Sequence, residues 1–121
     1  MAIEPGEAEL RRFGEADDGR PFVLVQLLRF AEGGREEYLR YSAAAQPILR
    51  GLGAQVLYAG ECTDPLLAPD GAWDAVVVVR YPSRAVYREM LADRAYAAIA
   101  PQRRSAVREA VLLPMNDWPG R

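Results

Sequence analysis

Trp73–Tyr81 reads WDAVVVVRY and Pro21–Phe30 reads PFVLVQLLRF. Both are strands on composition, dominated by β-branched and aromatic residues. Neither alternates cleanly. In the first strand, Val23, Val25 and Leu27 form one side and Phe22, Leu24 and Leu28 the other, with Gln26 the one polar residue before Arg29. In the later strand, Ala75, Val77, Val79 and Tyr81 alternate with Val76 and Val78, and only Asp74 and Arg80 interrupt them. A sheet covered on one side alternates apolar with polar. These strands are apolar on both sides, so both sides need cover. Leu24, Leu28, Val76 and Val78 each gain roughly 1.5–3 kcal/mol from burial. Left in water, such a face is a patch that monomers rarely carry.

The neighbouring segments place these strands in a fold. After the Ala31–Gly34 loop, residues 35–52 carry Tyr38, Tyr41, Ala45, Ile48, Leu49 and Leu52 at helical spacing, with Pro47 inside the run and Gly51 and Gly53 at its end. Residues 54–62 read as a strand, and two prolines and an Asp-Gly pair mark the loop after it. Ser83 is placed to cap a helix over 84–92 and Asp93 one over 94–100. Pro101 is placed to open a further piece to about residue 110, followed by a short strand over 110–115. Residues 4–16 read as a short polar helix. The order is strand, helix, strand, strand, helix, strand after an N-terminal helix. That is an α+β, ferredoxin-like βαββαβ subunit. The expected organisation is an extension over 1–19, one domain over 20–116, and a tail over 117–121.

In this topology the first and third strands are central and the helices share one face. The other face is expected to pack on a second copy, making a homodimer. The competing expectation is that residues 4–16 fold over it, although they offer little beyond Leu10 and Phe13.

Composition removes several functions. The 121 residues include 15 basic and 17 acidic side chains, for a net charge of −2. No basic stripe points to nucleic acid. There is no histidine, which removes the commonest general base near neutral pH, the commonest metal ligand, and Ser-His-Asp or Cys-His machinery. The single cysteine, Cys62, precludes an internal disulfide and reads as packing rather than as a nucleophile. No apolar run approaches the ~18 residues of a membrane span. The acidic N-terminus lacks the apolar stretch of a signal peptide. The expectation is a cytoplasmic protein without metal or cofactor.

Four stretches together resemble a known family: VQLLRF (Val25–Phe30), EYLRYSAAAQPIL (Glu37–Leu49), WDAVVVVRYPSR (Trp73–Arg84) and ADRAYAAIAPQRRSAV (Ala92–Val107). The chain is similar, over about residues 21–115, to the family called domain of unknown function 1330, in the dimeric α+β-barrel superfamily. The resemblance implies a ferredoxin-like subunit whose sheet packs on a partner's sheet. It brings no established activity. The wider superfamily spans cofactor-free oxygenases, isomerases, lactonases, dehalogenating and haem-handling enzymes and ligand-binding regulators, so fold alone settles nothing. Many of its members use a histidine that this chain lacks. The family's first strand often has Asn where Gln26 stands.

Within that frame, Gln26 is the candidate to orient a ligand in an inter-sheet cleft. Asp74 and Glu61 are the candidate catalytic carboxylates. Paired across a hairpin they would raise one pKa and suit acid/base work. Arg80 and Arg103 are candidates to hold an anionic substrate. Tyr41, with Tyr38 and Tyr58, offers a hydroxyl. Each has an ordinary alternative: a satisfied amide, a salt-bridged carboxylate, an interface arginine, a core tyrosine. Two functions remain open. One is a metal-free, histidine-independent enzyme acting on a small anionic organic substrate in a pocket near the dimer interface. The other is a non-enzymatic dimeric ligand-binding or interaction module.

Overall fold

The computed structural model describes residues 2–120. Its elements are α1 (Glu7–Glu15), β1 (Phe22–Phe30), α2 (Gly34–Gly51), β2 (Gln55–Glu61), β3 (Ala75–Tyr81), α3 (Arg84–Ala92), α4 (Arg94–Ala106) and β4 (Val107–Met115). The four strands form one antiparallel sheet in the order β2-β3-β1-β4. This is the expected ferredoxin-like α+β subunit, with α1 as the extra N-terminal helix.

Local chemistry sets the helix boundaries. The Ser83 hydroxyl accepts from the Val86 N–H at 3.2 Å and opens α3. The Asp93 carboxylate accepts from Ala95 and Tyr96 and opens α4. Helix α2 ends on Gly53 at φ +79°, where Gly53 N donates to Arg50 O and Ala54 N to Leu49 O. That is the glycine-ended helix stop.

Two expectations at the C-terminal end change. Helix α4 is one helix that runs through Pro101, and β4 begins at Val107 rather than at residue 110. The reason is tertiary. Val107 pairs with Phe30 and Glu109 with Arg29 in the β1–β4 ladder, and an Arg29–Glu109 ion pair at 2.9 Å ties this end down. Long-range pairing overrides the local cue of Pro101.

The ladder also assigns the faces. Leu24 opposes Val79, and Leu28 opposes Ala75; all four are buried under the helices. Val25 opposes Val78 on β3 and Leu113 on β4, and Leu27 opposes Val76 and Val111, all on the opposite side. Of the four residues expected to need a second cover, only Val76 and Val78 lie on that side; Leu24 and Leu28 are already in the core. Helix α1 does not fold over the open side either. Its Phe13 packs edge-on against Phe22 and Tyr87, at 5.3 and 5.5 Å, on the helix-covered face. The open side therefore carries Val25, Leu27, Val76, Val78 and Val111 partly exposed, with Tyr58, Leu113 and Met115 exposed.

Candidate functional site

Helix α2 turns Tyr38, Tyr41 and Ala45 toward the sheet, and α4 turns Tyr96, Ala100 and Arg103 the same way; all six are buried. The spacings of three, four and seven residues put each set on one helix face. Tyr81 of β3 and Tyr87 of α3 join them from below and beside. These side chains do not fill the space between sheet and helices. They enclose a cavity of about 310 Å³, whose floor includes Gln26, Val77 and Leu112. A second hollow, of about 460 Å³, lies under α1 beside Phe13, Leu24 and Pro114. Glu4, Pro5 and Leu10 line both hollows.

Three of the four proposed ligand-binding residues, Gln26, Tyr41 and Arg103, therefore line one cavity. Gln26 is not in an inter-sheet cleft. It sits between Leu24 and Leu28 in sequence and shares their helix-covered face, opposite Val77 and Leu112. Among the described residues, no side chain hydrogen-bonds its amide. Arg80 stands apart: it opposes Val23 and Gln55, is exposed, and belongs to the open side.

The Tyr41 and Tyr96 hydroxyls bond each other at 2.8 Å. The Tyr81 hydroxyl donates to the Met90 sulfur at 3.8 Å. Burial is the main reason four of these phenols hold their protons. Tyr38 is pushed up to about 12, with the Arg103 charge pulling the other way. Tyr87 is also pushed up to about 12. Tyr41 and Tyr81 are raised further, with neighbouring tyrosines adding to the burial effect.

These shifts predict alkaline instability. In the unfolded chain the phenols lose their protons near pH 10. In the folded chain they keep them to about 12 or beyond, so above pH 10 the native state binds more protons. Stability should be unaffected by these groups below pH 10 and fall as pH rises past it, by up to about 1.4 kcal/mol per pH unit for each phenol. Phenolate absorbance of these four should appear together with loss of ellipticity. Smooth ionisation with the fold intact would contradict the burial account.

Arg103 is 6% exposed. Its Nη1 donates to the Ile3 carbonyl at 2.6 Å, while its Nη2 has no hydrogen-bond partner among the described residues. The adjacent Arg104 donates to the Glu4 carboxylate at 3.0 Å. Arg103 and Arg104 of α4 thus hold the segment before α1 across the cavity.

The two carboxylates do not meet. Glu61 opposes Ala75, not Asp74, so the two side chains leave opposite faces of the sheet. The Asp74 carboxylate accepts from the Phe30 N–H at 2.8 Å, and its own N–H donates to Leu28 O. Glu61 is gripped by Arg35 through Nε at 2.8 Å and Nη2 at 2.6 Å, which holds its carboxyl below the usual range. Neither lines the cavity. The Asp74 contact gives a prediction. Asp74→Ala leaves the Phe30 N–H unpaired beside the β1–β4 bulge and should cost about 1–3 kcal/mol in denaturant unfolding, with Asp74→Asn costing less. Equal losses in the two variants would count against that role.

Sequence reading missed Tyr81, Tyr87 and Tyr96. Tyr96 was within reach, because it precedes Arg103 by seven residues on a helix. Of the tyrosines singled out, Tyr58 is exposed on the open side. Cys62 is also exposed. The described residues contain no cluster of three or more His, Cys, Asp or Glu able to hold a metal ion. They contain no helix long and apolar enough to cross a membrane.

An antiparallel β2-β3-β1-β4 sheet with its helices packed over one face is a ferredoxin-like α+β protein. Within that class, the chain belongs to the family described as Domain of unknown function (DUF1330), whose model matches residues 27–115. It is similar to a protein of unknown function from Rhodopseudomonas palustris, with a TM-score of 0.85 and 27% identity over 96% of each chain. A dimeric protein of unknown function and ferredoxin-like fold from Bacteroides fragilis matches with a TM-score of 0.59 at 7% identity, over 80% of this chain and 96% of that one. A putative antibiotic biosynthesis monooxygenase from Bacteroides thetaiotaomicron matches at 0.62 and 17% identity, over 84% and 94%. The last two likenesses establish the fold alone. No curated protein matches the chain.

Proposed function

We propose that this protein is a homodimer that binds a small organic molecule in the cavity between its own sheet and helices. The observation that carries the reading is the meeting of Gln26, Tyr41 and the buried Arg103 around about 310 Å³ of space. Mostly apolar walls with a few inward polar groups are what small-molecule sites are made of. The dimer draws on the open face. Apolar side chains on all four strands lie there without cover, and a ferredoxin-like relative of similar shape is dimeric. The ligand site is then on the far side of the sheet from the subunit contact, inside each copy.

Binding is favoured over turnover. Glu4 is the one carboxylate among the lining residues, and it is engaged by Arg104. The buried phenols around the cavity hold their protons well above neutral pH, so they offer hydrogen bonds but neither give up nor take a proton readily there. The reading is tested by filling the cavity. Ala45→Phe places a ring in it from α2, and the protein should remain folded because the space is already open. Compounds that raise the Tm of the parent protein in a library screen should lose at least tenfold in affinity for this variant. Undiminished binding to Ala45→Phe would place the ligand elsewhere.

A further inference from the structure

The Arg103 guanidinium is a full positive charge that is nine-tenths buried, yet no carboxylate among the described residues meets it. Its Nη1 donates to the neutral carbonyl of Ile3, the Tyr38 hydroxyl lies beside the guanidinium, and Nη2 has no hydrogen-bond partner among the described residues. Buried charges are ordinarily paired, because an unpaired one pays its desolvation without return. Glu4, the carboxylate nearest in sequence to that carbonyl, is bonded to Arg104 instead. The described residues offer it no counter-charge. Nearby stand the Tyr38 hydroxyl, which feels the Arg103 charge, and the Gln26 amide in the cavity floor. The other walls are mostly tyrosine rings and aliphatic side chains, with Ser42, Gln46 and the Glu4–Arg104 pair as their polar members.

Resting on the reading of this cavity as a ligand site, we infer that its ligand is a small monocarboxylate with an apolar, ring-bearing body, whose carboxylate takes the free Nη2 of Arg103. Of the two arginines that line the cavity, Arg104 is paired with Glu4 and Arg103 is not, so one negative charge is matched. A second carboxylate would have to be buried against aromatic rings. The space equals about ten waters' share of liquid volume, which suits one ring and a short acid arm. The aromatic walls match a flat body.

The test is calorimetric titration of the full-length protein with benzoate and phenylacetate, each beside its neutral amide, benzamide and phenylacetamide. Each pair shares its shape and differs in charge. The acids should bind about 10–100-fold more tightly than the amides, as expected for a hydrogen bond to a charged group in a dry site. Arg103→Met should bring acid and amide to within about threefold of each other. Arg103→Lys should retain a preference for the acid, which separates loss of charge from loss of fold. The acid-over-amide preference of the parent protein stands as a test even if the Met variant fails to fold. Phthalate should bind more weakly than benzoate.

Equal binding of acid and amide to the parent protein would overturn the carboxylate and leave the cavity reading intact. An acid preference that survives in a folded Arg103→Met protein would also overturn it. Binding by neither acids nor amides would overturn the inference, and if the compound screen also finds no ligand sensitive to Ala45→Phe, the cavity reading falls with it.

Discussion

In the proposed dimer, Val25→Asp should leave a folded monomer, raising the dissociation constant by at least ~10³-fold, or about 4 kcal/mol. Val25 is central on the open face, between Val78 on one side and Leu113 on the other. In a two-fold dimer the substitution enters twice, so the interface must bury two like charges with no basic partner among their immediate neighbours. In the monomer the same side chain meets water, so the fold should survive with unchanged far-UV ellipticity. Light scattering at micromolar concentration reads the mass directly. Val23→Asp lies nearer Arg80, its cross-strand neighbour, and should weaken association less. A Val25→Asp protein that stays dimeric, or a parent protein that is monomeric at high concentration, would remove the open face as the subunit contact.

Gly34→Val should cost about 3 kcal/mol of folding stability. Gly34 begins α2 where that helix crosses the end of α4. A Cβ there would lie near the Ala106 backbone, at 3.1 Å from its Cα and 3.0 Å from its carbonyl carbon, and closer still to its oxygen. That oxygen already accepts the Ala31 N–H at 2.8 Å, so it cannot withdraw without breaking a bond. The obstacle is backbone, not the end of a flexible side chain, and α2 or β4 must move. Gly51, near the other end of the same helix, is the internal control. A Cβ there meets nothing within 4 Å, and Gly51 is not among the positive-φ glycines. Gly51→Ala should therefore be neutral or stabilise by up to about 1 kcal/mol. Urea melts of both variants measure the contrast, and similar effects at the two positions would show that close approach is not what Gly34 provides.

Some of the site could be read before the fold was known, and some could not. Gln26 stood out because an amide interrupts an apolar strand. Arg103 stood out only as one of several arginines, since its sequence neighbours are polar. Nothing in the order of residues says that Arg103 is buried or that its Nη1 reaches Ile3, a hundred positions earlier. Asp74 and Glu61 looked like a pair because both end strands of one hairpin. The β2–β3 register is offset by one from that guess, with an irregularity between Val56 and Tyr58. Because side chains alternate along a strand, an offset of one residue sends them to opposite faces.

The sequence by itself determined the element order, the helix caps at Ser83 and Asp93, the stop at Gly53, and an excess of apolar surface on the central strands. Those are local properties, fixed by side-chain chemistry and by spacing along the chain. Only the tertiary structure decided which apolar residues face the helices, where α1 packs, that β4 begins at Val107, and that Arg103 ends against a cavity with no counter-charge among the described residues. Each of these depends on contacts between residues far apart in the chain, and local propensity carries no information about which distant partner will be met.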